Sequence, residues 1–364
     1  MPTSTMLVTG GAGFIGTNFI RNTLSNRPEW RIVNLDALTY AGNPGNFNDL
    51  DATMSKRYEF IHGDIRDAEL LQKLFRENKF GSVVHFAAES HVDRSIHGPE
   101  AFLEANVTGT FRLLEAAKKY WETMEKPEVF RFLHVSTDEV YGSLGAEGYF
   151  TEKTPYDPSS PYSASKAASD HFVRAYFRTY GLPTLITNCS NNYGPYQFPE
   201  KLIPLMILNI MEQKPLPIYG DGKNVRDWLY VVDHCDALIS VLESGNLGET
   251  YNIGGGAEMK NIEIVHGLCD LLDARLGRSG NGSSRGLINF VEDRLGHDRR
   301  YAIDATKIEK ELGWQPKYRF EDALEKTVDW YMNNMEWINS VRSGEYRKWI
   351  ELNYQGRTNI AKKN

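Results

Sequence analysis

The chain has little cysteine, and what it has is scattered. Its three cysteines, Cys189, Cys235 and Cys269, are far apart, and none forms a C-x-x-C pair. A disulfide framework or a zinc site needs paired or clustered cysteines. The sequence therefore predicts neither, and we expect no metal and a reducing compartment.

Long apolar runs and blocks of positive charge are also missing. No stretch approaches the ~18 consecutive apolar residues of a membrane-spanning helix, and the N-terminus lacks the features of a signal peptide. The formal net charge is -7 without a long basic block, which argues against nucleic acid as the main partner. We therefore expect a cytoplasmic protein that binds neither membrane nor nucleic acid, although local basic clusters can still bind anionic ligands.

What the sequence does contain is a regular alternation of short apolar runs with helical stretches. The 364 residues are 41% hydrophobic and 24% charged, which is typical of a soluble globular protein. Near-continuous apolar strands between helices indicate an α/β fold, a Rossmann-type doubly wound parallel sheet covered on both faces. The predicted strands are 6–9, 31–36, 58–64, 82–88, 130–136 and 184–189, and the predicted helices are 14–26, 68–78, 99–120 and 160–180.

The pattern changes after residue 194. Helices are expected at 202–213, 261–276 and 320–331, a surface loop at 277–286, and disorder at 355–364. We therefore predict a Rossmann domain at 1–194, with part of 228–258 returning to it, and a smaller mixed α/β domain mainly at 195–364. Such a domain closes over the carboxyl ends of the strands, where ligands bind in folds of this type.

A glycine-rich segment follows the first predicted strand. Its spacing is Gly10-x-x-Gly13-x-x-Gly16, between an apolar run and an amphipathic helix, which is the context of a dinucleotide-binding turn. Gly11 is expected to allow the tight turn, Gly13 to let the backbone approach a pyrophosphate, and Gly16 to permit close packing of the helix. The helix N-terminus then faces the phosphates. The alternative is a purely structural glycine turn.

Acidic residues at the ends of the next two strands refine this prediction. Asp36 lies twenty residues after Gly16, where a carboxylate holds a ribose hydroxyl pair and repels a 2′-phosphate, so NAD is favoured over NADP. Asp64 and Ile65 end the third strand and are expected to border the adenine. The alternative for Asp64 is a helix cap before Ala68.

Tyr162 and Lys166 are spaced i, i+4 and therefore share one face of a helix. A base near neutrality needs the tyrosine pKa lowered by roughly 2–3 units, which a neighbouring ammonium and a positive nicotinamide ring can supply. Alone, such a pair is more often an ordinary surface pair on an amphipathic helix. The upstream glycine motif and an apolar strand that ends in Ser136 favour a redox base.

Thr137-Asp138-Glu139 adds two adjacent acids to this arrangement. If a hexose is oxidised at C4, the new ketone acidifies the C5 proton. One carboxylate can then remove that proton while a carboxylic acid protonates the C6 hydroxyl, so that water leaves. Unequal burial provides the different protonation states that this needs. The alternative is a helix N-terminus, with Thr137 or Asp138 as the cap and Glu139 favouring the dipole.

The glycine turn, Asp36, Asp64 and the Tyr/Lys pair resemble the extended short-chain dehydrogenase/reductase family in order and approximate spacing. Within that family, five segments are similar to the dTDP-glucose 4,6-dehydratases, and the resemblance runs from residue 6 to about residue 331. The segments are 36–43 (DALTYAGN), 87–95 (AAESHVDRS), 136–142 (STDEVYG), 162–166 (YSASK) and 191–197 (NNYGPYQ).

The resemblance implies an NAD-dependent lyase that converts dTDP-glucose to dTDP-4-keto-6-deoxyglucose plus water, for deoxysugar biosynthesis such as that of rhamnose. The implied steps are C4 oxidation, C5/C6 elimination and hydride return to C6. Tyr162 is then the base at the C4 hydroxyl, with Lys166 tuning it and Thr137 orienting the C4 oxygen. Glu139 takes the C5 proton, and Asp138 protonates the C6 hydroxyl.

The resemblance also implies two sets of binding residues. The cofactor set is Gly10, Gly13, Phe14, Ile15, Gly16, Asp36, Leu38, Thr39, Asp64, Ile65, Ala87, Ala88, Ser90, Tyr162, Lys166 and Asn191. The substrate set is His91, Thr137, Asn192, Lys201, Leu202, Pro217, Tyr219, Arg226, Asn261, His297 and Tyr301. Alternatives are a surface ion pair of Arg226 with Asp227 and plain solvation of Arg299 and Arg300. Leu295 stands where the family usually has proline, and residues 278–286 form a longer loop.

Two other functions are compatible with the same residues. An epimerase or decarboxylase acting on another nucleotide sugar needs the NAD site and Tyr162 but not both acids. A catalytically silent NAD-binding scaffold needs the NAD site but neither Tyr162 nor the acids.

The family implies a homodimer through the helices at 99–120 and 160–180. The alternative is that the apolar stripe on the first of these, Phe102, Val107, Phe111 and Leu114, belongs to the core.

Overall fold

A computed structural model of the protein describes residues 4–342. The strands are β1 (Ser4–Thr9), β2 (Trp30–Asp36), β3 (Tyr58–His62), β4 (Phe80–His85), β5 (Arg131–Thr137), β6 (Thr184–Cys189), β7 (Asn191–Tyr193), β8 (Leu216–Tyr219), β9 (Val225–Tyr230), β10 (Thr250–Ile253), β11 (Glu258–Lys260) and β12 (Ile288–Val291). The α-helices are α1 (Phe14–Asn26), α2 (Ala52–Ser55), α3 (Ala68–Glu77), α4 (Val92–His97), α5 (Pro99–Phe102), α6 (Thr110–Trp121), α7 (Pro161–Tyr180), α8 (Leu202–Met211), α9 (Val231–Ser244), α10 (Asn261–Leu276), α11 (Thr306–Leu312), α12 (Phe320–Asn333) and α13 (Met335–Val341). The disorder expected at 355–364 lies outside the described residues.

The central sheet has seven strands in the order β3-β2-β1-β4-β5-β6-β10, and every neighbouring pair is parallel. The predicted doubly wound α/β fold is therefore confirmed. The order of the strands reverses between β1 and β4, and ligands of such sheets bind at the carboxyl ends of the strands beside this point. Strand β10 comes from the second half of the chain and pairs with β6, so that Ile253 lies beside Cys189.

Apolar clusters cover both faces of this sheet. Neighbouring residues of β1 point to opposite faces, because side chains alternate along a strand. Met6 packs in a cluster with Phe19 of α1 and Leu238 of α9, whereas Leu7 packs in a second cluster with Leu114 of α6. Burial on both faces explains why the strands of the sequence are almost continuously apolar.

The second region of the chain begins directly after the sheet. β7 starts two residues after β6 ends and joins β9 and β11 in a three-stranded sheet, while β8 and β12 form a two-stranded one. Helices α8, α10 and α12 enclose a separate apolar cluster that contains the fully buried Ile207, Leu268 and Val328. This region therefore extends from the carboxyl ends of the strands of the central sheet.

Three local features differ from the sequence-based expectations. The helix expected at 99–120 is interrupted by the π-helix Leu103–Gly109 between α5 and α6. The loop expected at 277–286 contains two short 3-10 turns, Gly280–Gly282 and Ser284–Leu287. Asp67 caps α3 by accepting hydrogen bonds from the backbone N–H groups of Glu69 and Leu70, so the alternative role of Asp64 as this cap is wrong.

Helix α7 is tightly defined at both ends. Ser160 and Ser163 form a capping box, in which the Ser160 side chain accepts from the Ser163 N–H, and Pro161 occupies the first helical position. Gly181 ends the helix with φ 75°, a left-handed conformation that favours glycine. These ends fix the position of the first two turns of α7, which carry Tyr162 and Lys166.

Two kinds of structural feature are absent from the described residues, a membrane-spanning helix and a metal-binding cluster. Within residues 4–342, no helix combines the length and apolar character needed to cross a bilayer. The same residues contain no cluster of three or more histidine, cysteine or acidic side chains suited to hold a metal ion.

Candidate active site

The carboxyl ends of β1, β4, β5 and β6 open into one cavity of about 540 Å³. Its lining includes the predicted cofactor residues Gly10, Gly13, Phe14, Ile15, Gly16, Asp36, Thr39, Asp64, Ile65, Ala87, Ala88, Ser90, Tyr162, Lys166 and Asn191. Thr137, Asp138, Glu139, Asn192 and Lys201 line the same cavity. Leu38 lies beside it, and its backbone N–H donates to Asp36 at 2.8 Å. The structure thus brings the predicted cofactor and acid/base residues together.

The turn between β1 and α1 requires glycine for reasons of conformation and space. Gly10 has φ 71°, and a Cβ there would lie 2.6 Å from the Ala87 backbone. A Cβ on Gly16 would lie 2.5 Å from the Gly10 carbonyl oxygen, which explains the close packing of helix and strand. The turn is closed by a hydrogen bond from the Gly13 N–H to the Gly10 carbonyl at 3.2 Å, so the predicted Gly11 lies inside it. Gly10 is the left-handed residue of the turn, and at Gly11 a Cβ would meet Asn34 at 2.3 Å.

Asp36 is a buried carboxylate held by the backbone. One oxygen accepts from the Ala12 N–H at 2.9 Å and the other accepts from the Leu38 N–H at 2.8 Å. Burial raises the pKa of Asp36, and these two hydrogen bonds oppose that rise. Since each carboxylate oxygen has a second lone pair, Asp36 can still accept hydrogen bonds from a ligand in the cavity.

Asp64, which follows β3, pairs with Arg66. The guanidinium donates to both carboxylate oxygens, with Nε 3.0 Å from Oδ1 and Nη2 2.6 Å from Oδ2. This hydrogen bonding lowers the pKa of Asp64. Asp64 therefore lines the cavity as an ionised, already paired carboxylate.

Tyr162 lies in the first turn of α7 and is only 9% exposed. Burial and the neighbouring Glu139 raise its pKa well above the usual value, while a hydrogen bond with the Thr137 side chain lowers it. The fall in pKa that a tyrosine base needs is therefore not supplied by the surroundings of Tyr162 in the folded chain. It has to come from charge that a ligand brings into the cavity.

Lys166 lies one turn further along α7 and points inward. Its ammonium donates to the Val135 carbonyl at 3.0 Å and lies 3.5 Å from His134 Nε2. Burial lowers the pKa of Lys166, and the charge of Asp170 opposes that effect. The lysine is thus anchored to β5 directly below the cavity.

The two acids begin a short 3-10 turn, Asp138–Tyr141, that follows β5. Thr137 caps this turn by accepting from the Glu139 N–H at 3.3 Å, as the alternative interpretation expects, yet both acids also line the cavity. Asp138 is 2% exposed, and its Oδ1 accepts from the Thr137 hydroxyl at 3.4 Å. Burial, followed by the charges of Glu139 and Asp227, raises the pKa of Asp138 well above its usual value.

Glu139 has a different electrostatic environment. It is partly exposed to the cavity. Burial raises its pKa overall, and Arg294, Arg226 and Lys201 oppose that rise. The pKa of Asp138 is raised further, because burial is joined there by the charges of Glu139 and Asp227. The pair therefore places a carboxyl group that favours the protonated form beside one whose ionised form is stabilised by cations, which suits acid and base chemistry on adjacent carbons.

The second region brings cations and aromatic rings to this end of the cavity. Arg226 stacks on the Tyr301 ring, 4.2 Å from its centroid, and donates to the Asp298 carbonyl at 2.9 Å. Its expected alternative partner, Asp227, instead accepts from the N–H groups of Gly255 and Ala257. The surface ion pair is therefore wrong.

The other predicted substrate residues are more dispersed. Tyr219 and His297 have ring centroids 6.1 Å apart. Leu202 packs in the apolar cluster of the second region, Pro217 lies in β8 opposite Asn289, and Asn261 begins α10. These three side chains are not in the lining of the cavity of about 540 Å³, and neither are those of Arg226, Tyr219, His297 and Tyr301. Their substrate roles therefore stay predictions.

One of the two arginines that follow His297 in the chain differs from expectation. Arg300 is 9% exposed and pairs with Glu258 at 2.8 Å, so plain solvation is wrong for it, whereas Arg299 is an exposed guanidinium that pairs with Asp221 at 2.9 Å at the surface. Leu295, which replaces the proline usual in the family, is 77% exposed. His91 is buried with its Nε2 3.7 Å from Glu200.

Asn106 supports the lining of the cavity and was not predicted from the sequence. It lies in the π-helix and connects the cavity residue Glu89 to α7, accepting from the Glu89 N–H at 2.8 Å and donating to the Ser165 hydroxyl at 2.8 Å. It also donates to the Glu89 carbonyl at 3.0 Å. A polar residue at a buried helical position was the available signal, whereas the π-helix that carries it has no such signal in the sequence.

The sequence model of the GDP-mannose 4,6 dehydratase family matches residues 7–327. The chain belongs to this family. It is 55% identical over 363 residues to the dTDP-glucose 4,6-dehydratase of Salmonella typhimurium, a match that covers 97% of this chain and 99% of the relative. It is 57% identical over 346 residues to that of Xanthomonas campestris pv. campestris strain B100, covering 94% and 97%.

Among solved structures of the family, the chain resembles DesIV, a dTDP-glucose 4,6-dehydratase from Streptomyces venezuelae, solved with NAD and dTDP bound. The identity is 49%, the TM-score is 0.84, and the match covers 93% of this chain and 99% of DesIV. The resemblance that the five sequence segments predict is confirmed by these relatives.

Proposed function

We propose that this protein is an NAD-dependent dTDP-glucose 4,6-dehydratase, a lyase that converts dTDP-glucose to dTDP-4-keto-6-deoxyglucose and water. The observation that carries this proposal is the pair Asp138 and Glu139 beside Tyr162, two adjacent carboxyl groups whose pKa values are raised to different extents. An epimerase needs the tyrosine but not this pair, and a silent scaffold needs neither. The relatives of this name support the same assignment.

The cofactor end of the cavity fits NAD. The glycine turn leaves the backbone of Gly13 and the N-terminus of α1 free to approach a diphosphate, and Asp36 faces the cavity as an acceptor for ribose hydroxyls. A 2′-phosphate at Asp36 would meet a carboxylate, so NADP is disfavoured. NAD, when bound, accepts a hydride from C4 of the sugar and later returns it to C6.

Tyr162 takes the proton of the C4 hydroxyl, while the Thr137 hydroxyl, which already contacts both Tyr162 and Asp138, orients the C4 oxygen. The positive charge of the bound nicotinamide, together with the Lys166 ammonium below it, lowers the raised pKa of Tyr162. The resulting C4 ketone makes the C5 proton acidic.

The acid pair then performs the elimination. Glu139, whose ionised form the neighbouring cations stabilise, removes the C5 proton, and Asp138, whose protonated form burial favours, donates its proton to the C6 oxygen so that water leaves. The proton that Glu139 has acquired exchanges with solvent, and after hydride returns to C6, Glu139 protonates C5. Tyr162 ends the turnover with one proton more and Asp138 with one fewer, and exchange with solvent restores both.

The nucleotide part of the substrate binds towards the second region. Arg226 and Arg294 bind the diphosphate, because guanidinium groups form paired hydrogen bonds with phosphate oxygens. Lys201 adds a third cation, and its ammonium donates to the Ser90 carbonyl at 3.3 Å. The rings of Tyr219, His297 and Tyr301 offer stacking surfaces for the base and sugar.

The test is incubation with dTDP-glucose, UDP-glucose and GDP-mannose in deuterated water, followed by mass spectrometry. Dehydration of dTDP-glucose predicts loss of water together with one solvent deuterium at C5. Inversion at C4 without a change in mass would instead identify an epimerase. Bound NAD without turnover of any of the three sugars would favour the scaffold.

The homodimer is a further proposal. On α7 and the adjoining π-helix, Leu103, Phe172 and Tyr180 are 55%, 39% and 47% exposed, and we infer that a second copy covers them in a homodimer. Phe102 and Leu114 are buried within the chain, so that half of the predicted stripe is core. Sedimentation of Phe172→Asp against the unaltered protein tests the dimer.

Two further expectations stay predictions. One is the division of the chain at residue 194, with part of 228–258 returning to the first domain, and the other is the cytoplasmic location.

A further inference from the structure

Helix α7 carries a third ionisable residue on the face of Tyr162 and Lys166. Asp170 follows Lys166 at i+4, and its side chain is fully buried. None of the chemical steps above uses it. A buried carboxylate is costly unless it is hydrogen-bonded and balanced by an opposite charge, so its surroundings should reveal what it does.

The hydrogen bonds around Asp170 favour its ionised form. Oδ2 accepts from the Ser136 hydroxyl at 3.0 Å and from the Tyr156 hydroxyl at 2.7 Å. Oδ1 lies 3.2 Å from His134 Nε2. Burial alone would raise the pKa of Asp170, but it is lowered overall by His134, Lys166 and Tyr156. Asp170 is therefore an anion below the active site.

The nearest ring, His134, is not the balancing cation. Burial and the charge of Lys166 lower the pKa of His134 to about 4, so this imidazole is neutral near pH 7. Its Nε2 lies between the two charged groups, 3.2 Å from Asp170 Oδ1 and 3.5 Å from Lys166 Nζ. The cation on this side of Asp170 is consequently Lys166.

The other groups that face this pair do not supply a second anion for the lysine. From β6, Cys189 is a neutral thiol because burial raises its pKa to about 12. From β4, His85 is neutral because burial lowers its pKa well below the usual value. From α7, burial keeps Tyr162 a neutral phenol. On the far side, Arg174 is separated from Asp170 by the Tyr156 hydroxyl, to which it donates at 2.7 Å.

We propose that Asp170 is a positioning residue for the reaction, whose buried carboxylate keeps Lys166 an ammonium ion below the nicotinamide end of the cavity. Removal of this charge leaves Lys166 as an unbalanced buried cation. Its easiest response is to lose its proton, and a neutral Lys166 can no longer help to ionise Tyr162. Asp170 thus acts on the catalytic base through Lys166. The kinetic part of this inference rests on the proposed function, whereas the charge pairing is a property of the folded chain alone.

The first experiment measures stability and needs no activity. Thermal unfolding is compared for the unaltered protein, Asp170→Asn, Lys166→Met and the double variant between pH 6 and pH 9. Asp170→Asn should lower the melting temperature most at pH 6 and less at pH 9, because its unbalanced Lys166 can deprotonate as the pH rises. The double variant should recover much of the loss, since removal of both charges leaves none unpaired.

The matched control is Asp270→Asn, which removes an exposed carboxylate paired with Arg285 on the surface. Its melting temperature should differ from that of the unaltered protein by a small amount that does not vary with pH. Losses in Asp170→Asn and Lys166→Met that simply add in the double variant, with no dependence on pH, would overturn the proposal.

The second experiment follows the pH dependence of cofactor reduction with dTDP-glucose. In Asp170→Asn the alkaline limb of the rate should move to lower pH by about one unit or more, with the KM for dTDP-glucose unchanged. Asp170→Glu should reverse part of this shift because it restores the negative charge. Tyr156→Phe, which keeps the charge of Asp170, should shift the alkaline limb least. An equal loss of rate at every pH would show that Asp170 only supports the fold. If even the unaltered protein does not reduce its cofactor, the proposed function fails and the stability experiment still decides this inference.

Discussion

The two ends of the active-site cavity are built in different ways. The cofactor end consists mainly of backbone, from Gly10 to Gly16, with Asp36 held by two backbone N–H groups. The proposed substrate end consists of charged side chains from distant segments, among them Glu139 and Lys201 in the lining and Arg226 beyond it, whose charge acts on Glu139. This difference makes two predictions. Substitutions at the cofactor end should mainly weaken the binding of NAD. Substitutions at the substrate end should change local charge, and with it the rate of dehydration and its pH dependence.

The largest effect is expected at the substrate end, from Glu139→Gln. The amide keeps the shape of the side chain but cannot accept the C5 proton, so dehydration should fall by about 10²–10⁴-fold. Slow reduction of NAD by dTDP-glucose and the affinity for NAD should persist. Single-turnover absorbance separates reduction from water loss, and Glu263→Gln on the exposed side of α10 serves as the control. Normal dehydration by Glu139→Gln would remove Glu139 from this role.

Gly16→Ala should have the next largest effect and should act at the other end. Its Cβ would lie 2.5 Å from the Gly10 carbonyl oxygen, so the turn or α1 must shift, at a cost of about 1–3 kcal/mol in stability. The affinity for NAD should weaken by about tenfold or more, since 1.4 kcal/mol corresponds to a tenfold change. Titration calorimetry and thermal unfolding measure the two effects. Gly267→Ala, where the nearest atom to the new Cβ is 3.9 Å away, is the control.

Asp36→Asn should weaken NAD binding by about tenfold, because an amide cannot accept from both backbone N–H groups and from a ribose as well. The preference for NAD over NADP should decrease at the same time, since the repulsive charge is lost. Binding of both nucleotides to the two proteins checks this. An unchanged NAD/NADP ratio would show that the backbone, and not the Asp36 charge, selects the cofactor.

Arg226→Met should give the smallest effect, a shift along the pH axis. Arg226 lowers the pKa of Glu139, so its loss raises that pKa, and the ionised base is then lost at a higher pH as the solution is acidified. The acid limb of the dehydration rate at saturating substrate should move up by about 0.5–1 unit. Arg299→Met, which removes an exposed guanidinium paired with Asp221, should leave the limb in place.

The same comparison explains how much could be predicted from the sequence. The cofactor end is contiguous, so the glycine spacing and Asp36 indicated it directly. The spacing alone does not tell which glycine of the turn is left-handed, and this is Gly10. Asp64 was expected to end the third strand, but β3 ends at His62, and the cap of the next helix is Asp67.

The substrate end depended on the family resemblance, because Arg226 approaches Glu139 only after the second region has folded over the sheet. Asn106 and Asp170 were missed for a related reason. A polar residue on a helix has a function only once its burial and its partners are known, and both are set by strands distant in sequence. The substrate roles of Pro217 and Asn261 rest on the family resemblance alone and stay predictions.

The pairing of β10 with β6 has a consequence for synthesis of the chain. Strand β6 ends at Cys189, and its partner β10 begins at Thr250. At roughly 5–20 residues per second, the ribosome needs about 3–12 s to make the chain between them. Throughout that interval the nascent sheet presents β6 as an unpaired, apolar edge, the kind of edge that recruits strands from other chains. We expect chains truncated before residue 250 to aggregate, and expression yield to depend on how fast this segment is translated.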